Sequence, residues 1–371
     1  MADLPALRAE YPVLAAKAYL NAGTQGPIPR RAVALAQQEL EAELRDGRGT
    51  RRSFEAIGGL MERVRAAVVP LLGCEGVEVA LTRSTTDGIN SALGALDLGP
   101  DDEVLTSDEE HPGLLAPIAA SRARRGFSVR TVPFERLVEA VEARTSLVAC
   151  SHVSWVSGQV VDGAALAAAA RHAGALVLLD GAQGLGAVPV DVRVLDCDFY
   201  AAAGQKWLCG PDGSGYLYVR AELAERLPCP WPSFLSLSDP GRPSDLPLKP
   251  GAARFDLGVF ARAQTAASLG AIETLAEAGW ERVLRRGPDL AARLADGLAA
   301  SGLEIADRGP STLVSWAAAD AAAEVERLAA AGFVVRDLPG RGLVRASVGA
   351  WSNEEELDRL VELAAGASTT P

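Results

Sequence analysis

The chain has 371 residues, 49% of them hydrophobic, which is enough for a large core and for division into two domains. Its formal net charge is −12, which argues against non-specific nucleic-acid binding, since that needs basic surface. No apolar run is long enough to span a bilayer, the start MADLPALRAEYPVL lacks the pattern of a secretory leader, and five widely spaced cysteines with three scattered histidines suggest neither a disulfide framework nor a metal cluster, so a metal-free, soluble cytoplasmic protein is expected.

The first two hundred residues alternate short apolar runs with longer helical patterns. Strands are predicted at Val79–Thr82, Glu103–Ser107, Ser128–Phe134, Ser146–Cys150, Ala175–Leu179, Asp198–Ala203 and Gly215–Val219. Helices are predicted at Thr86–Leu96, Pro112–Arg125 and Gly163–His172. This rhythm predicts an α/β fold, a sheet covered by helices on both faces with right-handed crossovers. Between Pro230 and Pro250 the chain is rich in proline and serine without a clear period, as in a long surface or active-site loop.

Beyond it, helical patterns cover Ala261–Leu275, Gly287–Ala300, Ala321–Ala330 and Glu354–Ala364, with Asp320 placed to cap the third. Short strands are predicted at Ser311–Trp316, Phe333–Asp337 and Leu343–Val348. The expected division is an N-terminal segment 1–18 near the small domain, a large domain 19–250 and a small α/β domain 251–371.

Four polar positions stand out against this frame. Asp180 follows Val177-Leu178-Leu179 at the C-terminal end of a buried-looking strand, where open α/β sheets bind ligands; it could equally form a turn. Ser84-Thr85-Thr86 sits between a strand and a helix, either as an ordinary N-cap or as an anion site. His111, in Asp108-Glu109-Glu110-His111-Pro112-Gly113, is either a surface turn residue or a ring laid over a flat ligand. Arg345, flanked by apolar residues in a strand pattern, points outward or forks a carboxylate.

Lys206 stands between the apolar run Ala201-Ala202-Ala203 and a glycine-rich loop. Together these residues ask for one ligand that carries an anion, a flat ring with a basic nitrogen and an electrophile for a lysine. Pyridoxal 5'-phosphate has all three.

The runs DGAQGLGAVPVD and DCDFY…GQKWLCGPDGSGYLYV combine an aspartate, a glutamine three residues on, and a lysine followed by an aromatic and a glycine-rich loop. In these the chain resembles the class V aminotransferase superfamily of fold-type I pyridoxal-phosphate enzymes, from Tyr19-Leu20-Asn21-Ala22-Gly23 to Arg345-Ala346-Ser347 and the helix after it. The resemblance implies a three-layer α/β/α large domain on a mainly parallel, mixed seven-stranded sheet, with a smaller C-terminal α/β domain.

It also implies a homodimer with active sites near the interface, and it assigns roles. Lys206 forms the Schiff base with the cofactor. Asp180 pairs with the ring nitrogen and Gln183 with the ring oxygen. His111 stacks on the ring. Thr85, Thr86 and Gln205 serve the phosphate, and Arg345 holds the substrate carboxylate. Asn21, Gly23, His152 and Trp155 lie near the substrate.

Two positions depart from the family pattern. Gln205 stands where a histidine is common, and Val259 where a threonine would reach a partner's phosphate. Cysteine desulfurases of this superfamily need a mobile-loop cysteine shortly before the arginine motif, and FVVRDLPGRGL (333–343) has none. Cys209, close to Lys206, reads as a buried small apolar residue.

The EEHPG and SHVSWVSGQ motifs are most similar to the branch of cystine/cysteine C–S lyases and isopenicillin N epimerase-like proteins. The expected reaction is β-elimination from cystine, cysteine or a related S-substituted cysteine. Aminotransferase and epimerase chemistry are the alternatives, and the leaving-group pocket is expected in the 230–250 loop.

Overall fold

The computed structural model describes residues 4–258 and 261–367. Val259, singled out for its phosphate role, lies outside the described residues. The chain opens with α1 (Leu4–Ala9), β1 (Ala18–Tyr19) and two long helices, α2 (Arg30–Asp46) and α3 (Arg51–Leu72). The sequence reading named no element before Val79, yet α3 carries both of its end signals. Thr50 accepts the Ser53 N–H at the start, and Gly73 turns left-handed at the stop.

Strands and helices then alternate: β2 (Val79–Thr82), α4 (Thr85–Ala95), β3 (Glu103–Ser107), α5 (Pro112–Arg125), β4 (Ser128–Val132), β5 (Thr145–Ser151), α6 (Gly163–Ala173), β6 (Leu176–Asp180), α7 (Val192–Leu195), β7 (Phe199–Ala203), β8 (Gly215–Val219) and α8 (Ala221–Arg226). Each predicted strand in this region is present to within two residues at either end.

The seven strands β2 to β8 form one sheet in the order β2-β8-β7-β6-β5-β3-β4. β8 runs antiparallel to both its neighbours and the other pairs are parallel, as expected. Alternation along the strands builds two cores. Leu179, Tyr200 and Tyr218 face α3, α6 and α9 (Arg262–Ala278), whereas Leu178, Phe199 and Leu217 face α4, α5 and α8. The result is the expected three-layer α/β/α unit. Gly88 lets α4 lie flat on β7, because a Cβ there would meet the Ala201 Cβ at 3.0 Å.

The chain continues through α10 (Trp280–Ala300), β9 (Leu313–Ala317), α11 (Ala321–Ala330), β10 (Phe333–Val334), β11 (Arg336–Leu338), β12 (Leu343–Ser347) and α12 (Glu354–Ala367). Asp320 caps α11 by accepting the Ala323 N–H. An antiparallel sheet β11-β12-β9 packs on α10 and α12 through Leu294, Trp316, Val344 and Leu360. The stretch 251–272 packs on the large sheet: Ala252 and Phe255 lie in one of its cores, and Ala266, Leu269 and Ile272 of α9 in the other, while Leu275 and Ala278 reach Leu313 and Trp351 of the small unit. The expected boundary at 250/251 therefore falls inside chain that still packs on the large sheet.

The N-terminal segment binds the two units. Leu7, Tyr11 and Leu14 pack with Val283 and Trp351, and Arg8 pairs with Glu356 of α12. β1 pairs with β10 in parallel, and Leu20 accepts the Ser347 N–H, which carries residues 18–23 along the edge of the small sheet.

Asp256 is the anchor beneath β2. It accepts from the Leu81 N–H at 2.8 Å and from Arg65 at 2.9 Å, with both side chains buried. Replacing Arg65 with alanine leaves a buried carboxylate without its cation, which costs about 3–5 kcal/mol. Urea unfolding of Arg65→Ala should show a correspondingly lower midpoint; an unchanged midpoint would show that Asp256 does not depend on this pairing.

Candidate active site

The C-terminal ends of β2, β5, β6 and β7 converge on one edge of the sheet, where open α/β sheets take their ligands. Asp180 closes β6, and its backbone parity with Leu178 turns it toward the α4 side. Ser151 ends β5 directly beside it in register. Lys206 follows β7 in a tight turn, closed by Cys209 N–H to Lys206 O and Gly210 N–H to Gly204 O.

Lys206 and Asp180 feel each other's charge. Burial lowers the lysine pKa to about 8, with Arg345 and Arg336 pushing the same way and Asp180 opposing them. Burial raises the Asp180 carboxyl, while Lys206 and the Ala182 N–H at 2.9 Å hold it down.

Arg345 lies on β12 with 0% exposure. Its Nη1 donates to the Trp155 carbonyl at 2.8 Å, and its Nε and Nη2 have no protein acceptor. Burial, then the neighbouring Arg336, lowers its pKa to about 9.

Gly23 approaches this group so closely that a Cβ would stand 3.0 Å from Arg345 Nη2 and 2.7 Å from Ser347 Oγ. Gln183 is oriented at both ends. Its Nε2 donates to the Gly23 carbonyl at 2.8 Å, and its Oε1 accepts from Trp207 Nε1 at 2.9 Å. Asn21 sits behind, its Oδ1 accepting from Thr24 Oγ1 at 2.7 Å.

The start of α4 supplies the polar end. Ser84 caps it by accepting the Asp87 N–H, Thr86 donates to the Gly113 carbonyl at 3.2 Å, and Thr85 Oγ1 is buried without a partner. The Gln205 Oε1 is likewise buried and unpartnered. His111 begins α5, its Nδ1 accepting from the Gly113 N–H at 2.9 Å. Its ring meets Trp155 edge-on at 5.0 Å. Burial, then Lys206, Arg336 and Arg345, lowers its pKa to about 4, so the ring is neutral at pH 7.

One expectation is corrected. His152 does not turn toward the substrate side. Its ring Nδ1 pairs with Tyr200 OH at 2.9 Å, on the α3 face of the sheet, and its backbone N–H donates to Asp180 O. It braces β6 from behind. The proline-rich loop packs on the far end of α4: a Cβ on Gly94 would meet Pro230 at 2.8 Å. That contact is about 13 Å along the helix from Thr85.

Arg336 was missed in the sequence, although it satisfies the argument that selected Arg345. It pairs with Arg345 in register, donates to Thr24 Oγ1 at 3.2 Å, and lies 5.9 Å from the Trp155 ring. Trp207, which follows Lys206 in the GQKWLCG run, orients Gln183.

These residues fit pyridoxal phosphate. A desolvated amine faces a buried carboxylate, the Thr85 hydroxyl lies unpartnered at a helix start, and a guanidinium offers two free donor positions. The Aminotransferase class-V profile matches residues 18–360. The chain belongs to the class V aminotransferase family.

Among curated proteins of the family, the cysteine desulfurase of Dickeya dadantii (strain 3937) is 32% identical over 247 residues, covering 61% of this chain and 59% of that protein. The chain thus spans less than two thirds of the length of such relatives. A solved structure of the cystine C–S lyase C-DES with its reaction product cysteine persulfide is 26% identical, with TM-score 0.90 over 96% of this chain and 99% of that one. A C-DES mutant with glycine covalently linked to its PLP cofactor has TM-score 0.91 at 26% identity, over 96% of this chain and 98% of that one.

An amine with pKa lowered to about 8 is half deprotonated near pH 8, not above pH 10. Borohydride trapping of pyridoxal phosphate on cofactor-free protein should therefore rise through pH 8 and level off, with Lys206 as the modified residue. A rate that keeps climbing to pH 10.5 would show that Lys206 is not desolvated.

Proposed function

We propose that the protein is a pyridoxal-phosphate-dependent C–S β-lyase acting on cystine, cysteine or a related S-substituted cysteine. The observation that carries this reading is the buried Arg345 fork within electrostatic reach of Lys206, which also feels Asp180, in a fold like that of C-DES. Family membership and that likeness imply pyridoxal phosphate. Lys206, Asp180, Gln183, His111, Thr85, Thr86 and Gln205 are the residues that would hold it.

When bound, the cofactor supplies an electrophilic carbon for the amines of lysine and substrate, and a ring that takes up electrons from the substrate Cα. Arg345 binds the α-carboxylate through its free Nε and Nη2 donors, which orients the substrate. Lys206 Nζ, whose pKa is lowered to about 8 by burial, takes the proton from Cα in its neutral form. Asp180 keeps a compensating negative charge beneath the site. For cystine the balance is cystine plus water giving pyruvate, ammonia and cysteine persulfide.

Sulfur transfer to a protein thiol is disfavoured. Cys74, Cys150, Cys197 and Cys209 are buried with their thiol pKa values raised, and Cys229 donates to the Arg254 carbonyl. The hairpin between β11 and β12 carries no cysteine. A homodimer is part of this reading. It is supported by exposed apolar side chains on α2 and α3, with Leu44 at 89% and Phe54 at 66%, and by Trp231 and Phe234 in the proline-rich loop. No helix among the described residues is long and apolar enough to cross a membrane.

Holoenzyme mixed with L-cystine, L-cysteine and L-alanine in turn should release pyruvate and a persulfide or sulfide from the sulfur substrates only. Conversion of the cofactor to its pyridoxamine form without sulfur release would replace this reading with an aminotransferase. Loss of the fork in Arg345→Ala should raise the KM for cystine on the order of a hundredfold, the scale of a charge-assisted hydrogen-bond pair. An unchanged KM would remove Arg345 from carboxylate binding.

A further inference from the structure

Glu109 stands two residues before His111 and has no role among the groups assigned to the cofactor. Its carboxylate Oε2 instead accepts from the hydroxyls of Ser154 and Ser157, the latter at 2.5 Å. Ser154 Oγ accepts in turn from the N–H groups of Val156 and Ser157, both at 3.1 Å. Ser154 N–H to Gln159 O at 2.8 Å and Gly158 N–H to Ser154 O at 3.1 Å close the turn.

The small sheet grips the same turn. Ser315 Oγ donates to the Val156 carbonyl at 2.5 Å, and Ser311 Oγ to the Gly158 carbonyl at 2.6 Å. Ser315 is the register partner of Arg345 across β9 and β12. The turn presents to the site the Trp155 ring, edge-on to His111, and the Trp155 carbonyl, which takes Arg345 Nη1 and is the acceptor found for that guanidinium among the described residues.

We infer that Glu109 is a positioning residue for substrate: by holding the 154–157 turn it fixes the Trp155 carbonyl, which orients Arg345 with Nε and Nη2 directed to the substrate carboxylate. The inference rests on Arg345 as the carboxylate-binding group. A guanidinium with one acceptor is oriented only as well as that acceptor is held. The carbonyl lies on a four-residue turn fastened by side chains at two places: Glu109 holds the hydroxyls of Ser154 and Ser157, and Ser315 holds the Val156 carbonyl.

The neighbouring Glu110 has a different task. It accepts from Ser107 Oγ and from the N–H and Oγ of Ser151, at the strand ends beside Asp180. The two acids of the Glu109-Glu110-His111 run thus serve different groups.

The test uses protein loaded with pyridoxal phosphate and follows the absorbance change of the cofactor on titration with L-alanine and with ethylamine, the same amine without the carboxylate. Wild type should bind L-alanine more tightly. Glu109→Ala should lose about tenfold toward L-alanine and none toward ethylamine, the scale of one charge-assisted hydrogen bond. Glu109→Gln, which keeps an oxygen acceptor, should recover most of that loss.

The Ser154→Ala/Ser157→Ala double variant removes the same bonds from the other side, and should match Glu109→Ala even where that variant folds poorly. A variant that keeps the wild-type preference for L-alanine, or that weakens both ligands equally, overturns the inference while leaving Arg345 in place. A wild type that does not distinguish the two ligands sinks the carboxylate role of Arg345, and this inference falls with it.

Discussion

A buried lysine stands among one carboxylate and two guanidinium groups. Asp180 is the negative charge that Lys206 feels, while Arg345 and Arg336 press on the same amine from the small sheet. Burial removes the water that would screen these charges, so each acts at greater strength than on a surface. The outcome is visible in three groups at once: the Lys206 and His111 pKa values fall, and even Arg345 falls to about 9. Arg345 and Arg336 add positive charge beside Lys206, and burial with these charges lowers the lysine pKa to about 8.

The charges come from parts of the chain far apart in sequence, and the topology explains how they meet. β5, β6 and β7 are adjacent and parallel, so Ser151, Asp180 and the Lys206 turn emerge side by side. β12 and β11 bring Arg345 and Arg336 as neighbours from the small sheet. The N-terminal segment enters along β10 and places Gly23 against the guanidinium, where a methyl group would already crowd Ser347 Oγ and Arg345 Nη2. A substituent at Gly23 would occupy the space and donors assigned to a substrate carboxylate.

Much of this was legible in the sequence, for a physical reason. The central strands are buried on both faces, so they read as short continuous apolar runs, and their ends are marked by the first polar residue. Asp180 is marked that way, whereas Thr85 and His111 are marked by their place between a strand and a helix. α2 and α3 were passed over although their composition is helical. α10 was started two turns late because Gly287 and Pro288 read as a beginning, whereas the helix runs from Trp280 with Pro288 inside it. The roles of Arg336, Trp207 and Glu109 depend on partners 24 to 312 residues away, and no local pattern encodes those pairings. His152 failed for the converse reason: a histidine beside a strand end reads as a site residue, but the pleat turned its ring toward Tyr200.

The hairpin between β11 and β12 bears most directly on the fate of sulfur. Its tip, Pro339-Gly340-Arg341-Gly342, turns on two glycines in the left-handed region, with φ of 73° and 63°. Arg341 then donates to the Asp108 carbonyl at 2.6 Å, fastening the tip to the turn that carries His111. A protein nucleophile for sulfur would have to combine a thiolate with freedom to reach the substrate. This tip offers a guanidinium in place of a thiol and is tied down beside the site. The chain's five cysteines lie elsewhere, four of them buried with raised pKa values. Under the proposed reaction, sulfur therefore departs on the small-molecule fragment, as a thiol or persulfide, and the protein needs no second turnover to discharge it.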